Sequence, residues 1–344
     1  AWLRSHGDIV PAIRHALRAG DVDLASDWTV EVSADLLATG QIETLRYLVE
    51  AVAAASESVS LALLTTWCYP ILLTDTHETE IDAVLERTLA TVRSLPREAA
   101  DDQPWSSIPE AMHESSEELA KQLEVSLGFR HGDIDRVLSI VDSLGDEQSE
   151  SGWIEAAAGW LLILQEQPSL GEPLIEHWAE YAFLPENPIL AIQAAALGVT
   201  ATAELTRGDL FRARVTADRA ANLLESRGLE MVPQSAVCSL PIGWVAWELG
   251  DLDRAEEAIY AAIDRIDLSG DTPFVTSAHV LAARIAWSRG AKDAAFITLD
   301  EALVTQAGRR VDGPFLDWLT LERARLHLLD GDPAAAARAL PDWR

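Results

Sequence analysis

Basic residues are scarce in this chain of 344 residues, which has 26 lysines and arginines against 56 aspartates and glutamates. Lysine is the rarest of these types, with only Lys121 and Lys292. The formal charge of −30 repels the phosphate backbone of nucleic acids. We therefore expect no direct nucleic-acid binding by this segment.

Cysteine is equally rare, and Cys68 and Cys238 lie too far apart to match a metal-binding spacing. We expect two buried, reduced thiols and a cytoplasmic protein. The histidines are scattered, and the stretch from His113 to Glu117 begins like a zinc-protease motif but ends in Glu. The sequence therefore predicts no metal site and no cofactor.

Long hydrophobic runs are also missing. The longest uncharged stretch, Ser58–Thr74, contains Pro70 and is shorter than the ~20 apolar residues that a membrane span needs. It predicts a buried helix rather than a membrane segment. The chain opens with Ala1-Trp2-Leu3-Arg4, without a secretory signal, and we expect it to be part of a longer protein.

A repeated spacing is the most informative positive feature of the sequence. Turn glycines recur 42, 40 and 41 residues apart, at Gly208, Gly250, Gly290 and Gly331. Two series of small residues keep this period across about five units: Gly159, Ala201, Gly243, Ala283 and Ala324, and also Gly171, Ala213, Ala255, Ala295 and Ala336. Fixed periods in this range are typical of stacked-repeat proteins, which usually bind rather than catalyse.

Each repeat has the pattern of two helices joined by a turn. Helix Ile242–Leu249 ends at Gly250, and Asp251 can cap the following helix, Leu252–Ile266. The next unit carries Ala291 in place of this aspartate, so its cap is displaced or absent. Small residues in both helices allow close and regular packing, which winds successive hairpins into a superhelix.

The chain upstream of the repeats is also helical. Its predicted helices are Ile9–Ala19, Val22–Thr39, Ile42–Ala54, Leu119–Arg130 and Ile134–Leu144. A loop rich in Asp, Pro and Ser over Leu95–Pro109 separates two parts, which are N-terminal helical hairpins over 1–95 and a repeat superhelix over 110–344. The predicted fold is all-α, a right-handed superhelix of antiparallel hairpins with a period of 40–42 residues.

The order of residue types within each repeat resembles a known motif. A small residue in the first helix, a Gly-Asp turn, and then Ala, a bulky residue and Ala in the second helix occur at Gly243, Gly250-Asp251, Ala255, Ile259 and Ala262. This order resembles the tetratricopeptide motif, whose usual period of ~34 residues is shorter than the one here.

The N-terminal residues carry a second resemblance. Trp2-Leu3-Arg4-Ser5-His6-Gly7-Asp8 is followed by Ala12-Ile13-Arg14-His15-Ala16-Leu17 and by Ala19-Gly20-Asp21. This stretch resembles the junction between the winged-helix arm and the helical-repeat sensor domain of large bacterial LuxR-type regulators of the maltose-activator kind, which are STAND NTPases. The resemblance implies that NTPase and DNA-binding modules of the same full-length chain are its partners. The sequence contains no phosphate-binding G-x-x-x-x-G-K-[ST] loop.

Tetratricopeptide-like superhelices expose the first helix of each repeat in a concave groove. One row of this groove would hold Trp160, Thr202, Trp244, Arg284 and Arg325, and a second would hold Ile163, Leu205, Trp247, Trp287 and Leu328. We predict ligand binding by Phe129, Trp160, Trp244, Trp247, Arg284, Trp287 and Arg325. Aromatic rings stack on sugars and planar groups, and guanidinium groups bind carboxylate or phosphate. Alternatively, the tryptophans fill the core and the arginines pair with nearby acids.

Three functions remain open from the sequence. The leading hypothesis is a sensor domain of a transcription regulator that binds a small-molecule effector or a protein partner in the groove. The alternative is a scaffold that binds a peptide or protein segment. An α/α-toroid glycosidase would need two carboxylates across a pocket, whereas the regularly placed acids here are helix caps. We therefore expect no enzyme activity.

Overall fold

The computed structural model describes residues 8–39, 41–56, 59–73, 78–94, 116–144, 153–164, 167–182, 190–226, 228, 235–269, 272–308 and 314–340. Every element in these ranges is an α-helix, which confirms the predicted all-α class. Outside them lie the N-terminal Trp2–Gly7, Gly40, and the predicted loops over 95–109, 145–152 and 185–188.

Five helices form the N-terminal part of the described chain. They are α1 (Ile9–Arg18), α2 (Val22–Ala38), α3 (Ile42–Ala55), α4 (Leu61–Leu73) and α5 (Glu78–Ser94). The first three agree with the predicted helices to within one residue at each end. Helix α4 covers most of the long uncharged stretch, and Leu63 and Leu64 in its first turn are buried, as predicted. No helix among the described residues combines the length and apolar character needed to cross a bilayer.

Six hairpins follow, and the first helix of each is called its leading helix. They are α6 (Ser116–His131) with α7 (Ile134–Leu144), α8 (Trp153–Leu164) with α9 (Pro168–Ala182), α10 (Leu190–Thr206) with α11 (Leu210–Glu225), α12 (Ser235–Glu248) with α13 (Leu252–Ser269), α14 (Thr272–Ser288) with α15 (Lys292–Gly308), and α16 (Pro314–Leu329) with α17 (Pro333–Ala339). The leading helices α8, α10, α12, α14 and α16 each pack against the next one. Such packing between neighbouring units is the architecture of a helical-repeat solenoid.

The turns confirm the repeat register. The four turn glycines all have positive φ angles of 78° to 81°, a conformation that glycine adopts without strain: Gly208, Gly250, Gly290 and Gly331. Asp251 then accepts a hydrogen bond from the Arg254 backbone N–H at 3.3 Å, which caps α13. Helix α15 begins directly after Ala291, whose methyl side chain cannot accept such a bond, as the sequence indicated.

Helix α12 begins at Ser235, well before the predicted start at Ile242. Pro241, which directly precedes the predicted start, lies inside the helix. Because proline has no N–H, the carbonyl of Val237 lacks its usual partner four residues along. Gly198 of α10 packs against this carbonyl, and a Cβ atom there would lie 2.7 Å from the oxygen. The irregular backbone of α12 is therefore matched by a glycine on the neighbouring helix.

The two series of small residues lie where paired helices approach most closely. A Cβ atom at Gly171 of α9 would lie only 2.3 Å from the carbonyl oxygen of Gly159 on α8. Ala213 and Ala255, at the same register in later repeats, are completely buried. Glycine and alanine at these positions thus set the distance between the helices of each hairpin.

The chain also packs against itself over a long sequence distance. Helix α6 contacts α14, and α5 contacts α13. At the α6–α7 turn, a Cβ atom on Gly132 would lie 2.8 Å from the Phe315 ring and 3.0 Å from a Thr272 side-chain carbon. Helices α5 and α6 share a small core, which includes Leu85 and Leu123, on either side of the predicted division into 1–95 and 110–344. That division stays a prediction.

Candidate functional site

Two of the predicted ligand-binding residues, Phe129 and Trp160, lie in the core. Phe129 packs on the Trp160 ring with centroids 5.9 Å apart, and Phe274 of α14 lies 4.5 Å from Trp160. Both predicted residues are buried. Their expected placement in an open groove is wrong because the long-range contact between α6 and α14 covers them.

The other predicted residues come together on the leading helices α12, α14 and α16. The guanidinium of Arg284 lies 5.1 Å from the ring centroid of Trp244 and 5.5 Å from that of Trp247. The two indoles, which we call the tryptophan pair, meet edge to face at 5.9 Å. These distances are those of cation–π and aromatic contacts, which hold the arginine head group against the two rings.

Serine hydroxyls fix both rings of the tryptophan pair. The indole N–H of Trp244 donates to the Ser277 hydroxyl at 3.2 Å, and that of Trp247 donates to the Ser288 hydroxyl at 3.1 Å. Both serines belong to α14, so each hydrogen bond joins two successive repeats. The tryptophan pair is therefore part of the joint between α12 and α14 as well as a partly exposed aromatic surface.

A buried carboxylate, Glu322 of α16, binds both predicted arginines. Arg284 makes a two-pronged contact with it, with its Nε donating at 3.1 Å and its Nη2 at 2.8 Å. Arg325 donates to the same carboxylate from Nε at 2.9 Å and from Nη2 at 2.5 Å. We call Arg284, Glu322 and Arg325 the Arg–Glu–Arg triad. The alternative stated above, that the arginines pair with acids, is confirmed for these two residues.

The electrostatics of the triad follow from this geometry. Burial alone would raise the pKa of Glu322, but hydrogen bonds and charge from Arg325 and Arg284 hold the pKa below its usual range. The carboxylate is therefore ionised at neutral pH, and two guanidinium groups share one negative charge. Exposure differs within the triad, since 41% of the Arg325 side chain is exposed but only 22% of the Arg284 side chain.

Trp287 lies at the edge of this surface with different neighbours. Its ring meets Phe296 edge to face at 6.1 Å, and the Lys292 ammonium lies 5.1 Å from its centroid. Phe296 in turn stacks on His327 with ring centroids 4.5 Å apart. The predicted groove residues thus divide into the tryptophan pair with the triad, an adjoining aromatic edge around Trp287, and the buried pair.

Sequence reasoning missed Glu322, although a signal was present. In the repeat register, the position two residues before the small residue of the leading helix is apolar in the preceding units, as at Val199 and Leu281. Glu322 is the acidic exception at that position, and it precedes Arg325 by one helical turn. A buried acid in an apolar register position predicts a paired charge.

A second cluster of paired charges joins α5 to the α6–α7 turn. The carboxylate of Asp82 accepts from Arg130 Nε at 2.9 Å and contacts His131 Nε2 at 3.0 Å. The hydrogen bond with Asp82 raises the pKa of His131. Burial would raise the pKa of Asp82, but its bonds with His131 and Arg130 lower it. Among the residues that the structure describes, no group of three or more His, Cys, Asp or Glu side chains could hold a metal ion.

The fold and this surface define the chain as an all-α helical-repeat protein. No protein-family model matches it, and no curated protein matches its sequence. Solved structures with similar folds include BtubC from P. vanneervenii, with 16% identity over 74% of this chain and 87% of that chain and a TM-score of 0.42.

Two Rap proteins are similar to a comparable degree. The apo form of RapI has 12% identity over 96% of this chain and 84% of that chain, with a TM-score of 0.41. A Rap protein complexed with competence and sporulation factor has 11% identity over 97% of this chain and 99% of that chain, with a TM-score of 0.43. At these identities and scores the similarities carry no argument about function.

Proposed function

We propose that this chain is a helical-repeat scaffold that binds a segment of another protein across α12, α14 and α16. The observation that carries the proposal is the cluster of the tryptophan pair and the Arg–Glu–Arg triad on three successive leading helices. Aromatic and arginine side chains are enriched at the centres of protein interfaces. Here they are held in fixed orientations by hydrogen bonds, so binding would order few additional side chains.

The spacing of the partly or fully exposed apolar residues on the leading helices favours an extended partner. Trp247, Trp287 and Leu328 occupy one register position on three successive leading helices. Packed helices lie ~8–10 Å apart, and a polyproline II segment repeats one face every three residues, or about 9 Å. We therefore expect a bound segment with apolar side chains at every third position.

Peptide selection with a matched pair of variants tests this proposal. Peptides would be selected from a random phage-displayed library on the whole chain, and their Kd values measured by fluorescence anisotropy. Leu328 is 58% exposed and lies one helical turn after Arg325, whereas Leu249 is 57% exposed in the turn that follows α12. Leu328→Ala should weaken binding about tenfold or more, because it removes most of a buried leucine contact. Leu249→Ala should leave the Kd unchanged, and equal effects of the two substitutions would contradict the proposed surface.

A second proposal is that the same surface senses an effector within a transcription regulator, as the N-terminal resemblance implies. What supports it is the contact between the N-terminal helices and the repeats, made by Asp82 with Arg130 and His131. Binding could bias this joint if its free energy differs between two arrangements. A thermal-shift screen with sugars and metabolites tests this proposal, since an effector that binds the folded chain raises its Tm.

We also propose that the chain is not an enzyme. What supports this is that two partly or fully buried carboxylates, Glu322 and Asp82, are already bound by arginine or histidine side chains. A glycosidase needs one free carboxylate nucleophile or base and one protonated acid. Release of product from a panel of aryl glycosides would overturn this proposal.

A further inference from the structure

We infer that the Arg–Glu–Arg triad receives an acidic side chain of the bound segment, with Arg325 as the contacting residue. This inference rests on the proposed function and specifies the chemistry of its partner. Its basis is a charge imbalance, since two guanidinium groups meet one carboxylate and leave one positive charge uncompensated within the triad.

The uncompensated positive charge of the triad is carried by Arg325 rather than by Arg284. The guanidinium of Arg284 is bound by both oxygens of Glu322 and also lies against the tryptophan pair, whose ring faces attract a cation. Arg325 contacts the same carboxylate through Nε and Nη2. Its Nη1 group makes no hydrogen bond or ion pair among the described residues, and its side chain is the more exposed of the two. Its remaining donors are thus oriented by Glu322 and accessible to a partner.

No second carboxylate in the described part of the chain lies within ion-pair distance of either arginine. Helix α14, which carries Arg284, contains no Asp or Glu, α12 has only Glu248 at its end, and α16 has only Asp317 besides Glu322. This is unusual for a chain with 56 acidic residues. The surface around the triad therefore lacks the internal anion that would complete it.

The net charge of −30 does not prevent an acidic side chain from binding here. At physiological ionic strength, charges more than ~8 Å apart are largely screened, so the adjacent guanidinium groups dominate the local field. Bonds between guanidinium and carboxylate are directional and stronger than those between neutral groups. An acidic residue beside apolar ones would therefore fit both the triad and the aromatic surface.

Three synthetic peptide libraries would test this inference on the whole chain. They share apolar residues at every third position and differ at one fixed position, which is Glu, Gln or Lys. We expect the Glu library to bind at least about tenfold more tightly than the Gln library, and the Lys library to bind least. Equal binding of Glu and Gln libraries would overturn the acidic subsite while leaving the scaffold proposal intact. Absence of binding by all three would overturn both.

Matched variants test whether Arg325 is the residue that causes the preference for Glu over Gln. Arg325→Gln should abolish the preference for Glu over Gln, and Arg325→Lys should reduce it because a lysine cannot make the two-pronged contact. Arg338→Gln removes the same unit of charge from an exposed position on α17 and should leave the preference unchanged. If Arg338→Gln lowers it equally, the preference comes from total charge and the inference fails.

A competition experiment tests whether the site binds any small carboxylate or only a carboxylate that is part of a peptide. Free acetate, titrated at constant ionic strength to concentrations far above that of the peptide, should not displace a Glu peptide, because acetate lacks the apolar contacts of the segment. Full displacement by acetate would show a site for a small anion and would overturn the peptide assignment. Circular dichroism of each variant verifies that helicity is retained, so that any loss of binding reports on the site itself.

Discussion

Substitution of Gly171 by alanine tests the close helix contact on which the repeat geometry depends. The added Cβ would lie 2.3 Å from the Gly159 carbonyl oxygen and 2.9 Å from Ile163 Cγ1. Carbon and carbonyl oxygen normally stay at least ~3.3 Å apart, so α8 and α9 would have to separate by about 1 Å. The obstructing atom belongs to the backbone and cannot rotate away.

The expected cost follows from two opposing contributions. Overpacking of this kind destabilises by about 1–3 kcal/mol, and the backbone obstruction places Gly171→Ala at the upper end. Alanine regains up to ~1 kcal/mol of helix propensity over glycine. The net loss of unfolding free energy should therefore be about 2 kcal/mol, a difference of the two cited ranges.

Urea unfolding followed by circular dichroism measures this loss, and hydrogen exchange of α8 and α9 amides locates it. The matched control is Gly128→Ala in α6, where the added Cβ would lie 3.0 Å from Val137 Cγ2. That atom is a side-chain methyl group that can move, so the control should change stability by less than about 1 kcal/mol. If Gly171→Ala proves as stable as the wild type, the close contact does not set the hairpin geometry.

Three further predictions concern charges and caps. Glu322→Ala should lower the free energy of unfolding in urea by about 2–4 kcal/mol, because it leaves two arginines without their acceptor; a loss below about 0.5 kcal/mol would contradict the triad. Because Asp82 raises the folded-state pKa of His131, the charge of His131 contributes its stabilisation fully below about pH 6.5, and this contribution is lost as the pH rises through the raised pKa. The difference in Tm between His131→Gln and wild type should therefore become smaller at alkaline pH, and a constant difference would refute this assignment. Asp332→Ala should cost about 1 kcal/mol in urea unfolding through loss of the α17 cap, whereas Asp330→Ala should not remove a cap.

Local signals predicted the repeat architecture well. Gly250 and Asp251 each act within one turn of the chain, so the sequence alone determines where α12 ends and α13 begins. The start of α12 was less predictable, because the Val237 carbonyl that Pro241 leaves without its helical partner packs against Gly198 of α10. That compensation lies on another repeat and leaves no mark near Pro241 in the sequence.

The candidate site could be predicted only in part, because the burial of its residues also depends on contacts with distant repeats. The repeat register placed Trp244, Trp247 and Arg284 on adjacent helices correctly, since the register fixes which residues share a face. The same register could not distinguish Trp160 from Trp244, which hold equivalent positions in different repeats. Trp160 is buried by Phe129 and Phe274, and that contact depends on the long-range packing of α6 against α14.

The same long-range packing links the N-terminal helices to the candidate binding surface. The α6–α7 turn contacts α5 through His131 and contacts the first turns of α14 and α16 through Gly132. Those two helices carry Arg284 and Glu322 further along their length. Because α-helices transmit displacement along their axes as stiff elements, a change in the spacing of α14 and α16 at the turn would alter the two-pronged contact between Arg284 and Glu322. If so, Asp82→Asn, which weakens the joint at α5, should change the Kd of the peptide that Arg325 contacts, although Arg325 lies far along the chain from both Asp82 and His131. An unchanged Kd, with the fold intact by circular dichroism, would show that the joint and the binding surface are independent.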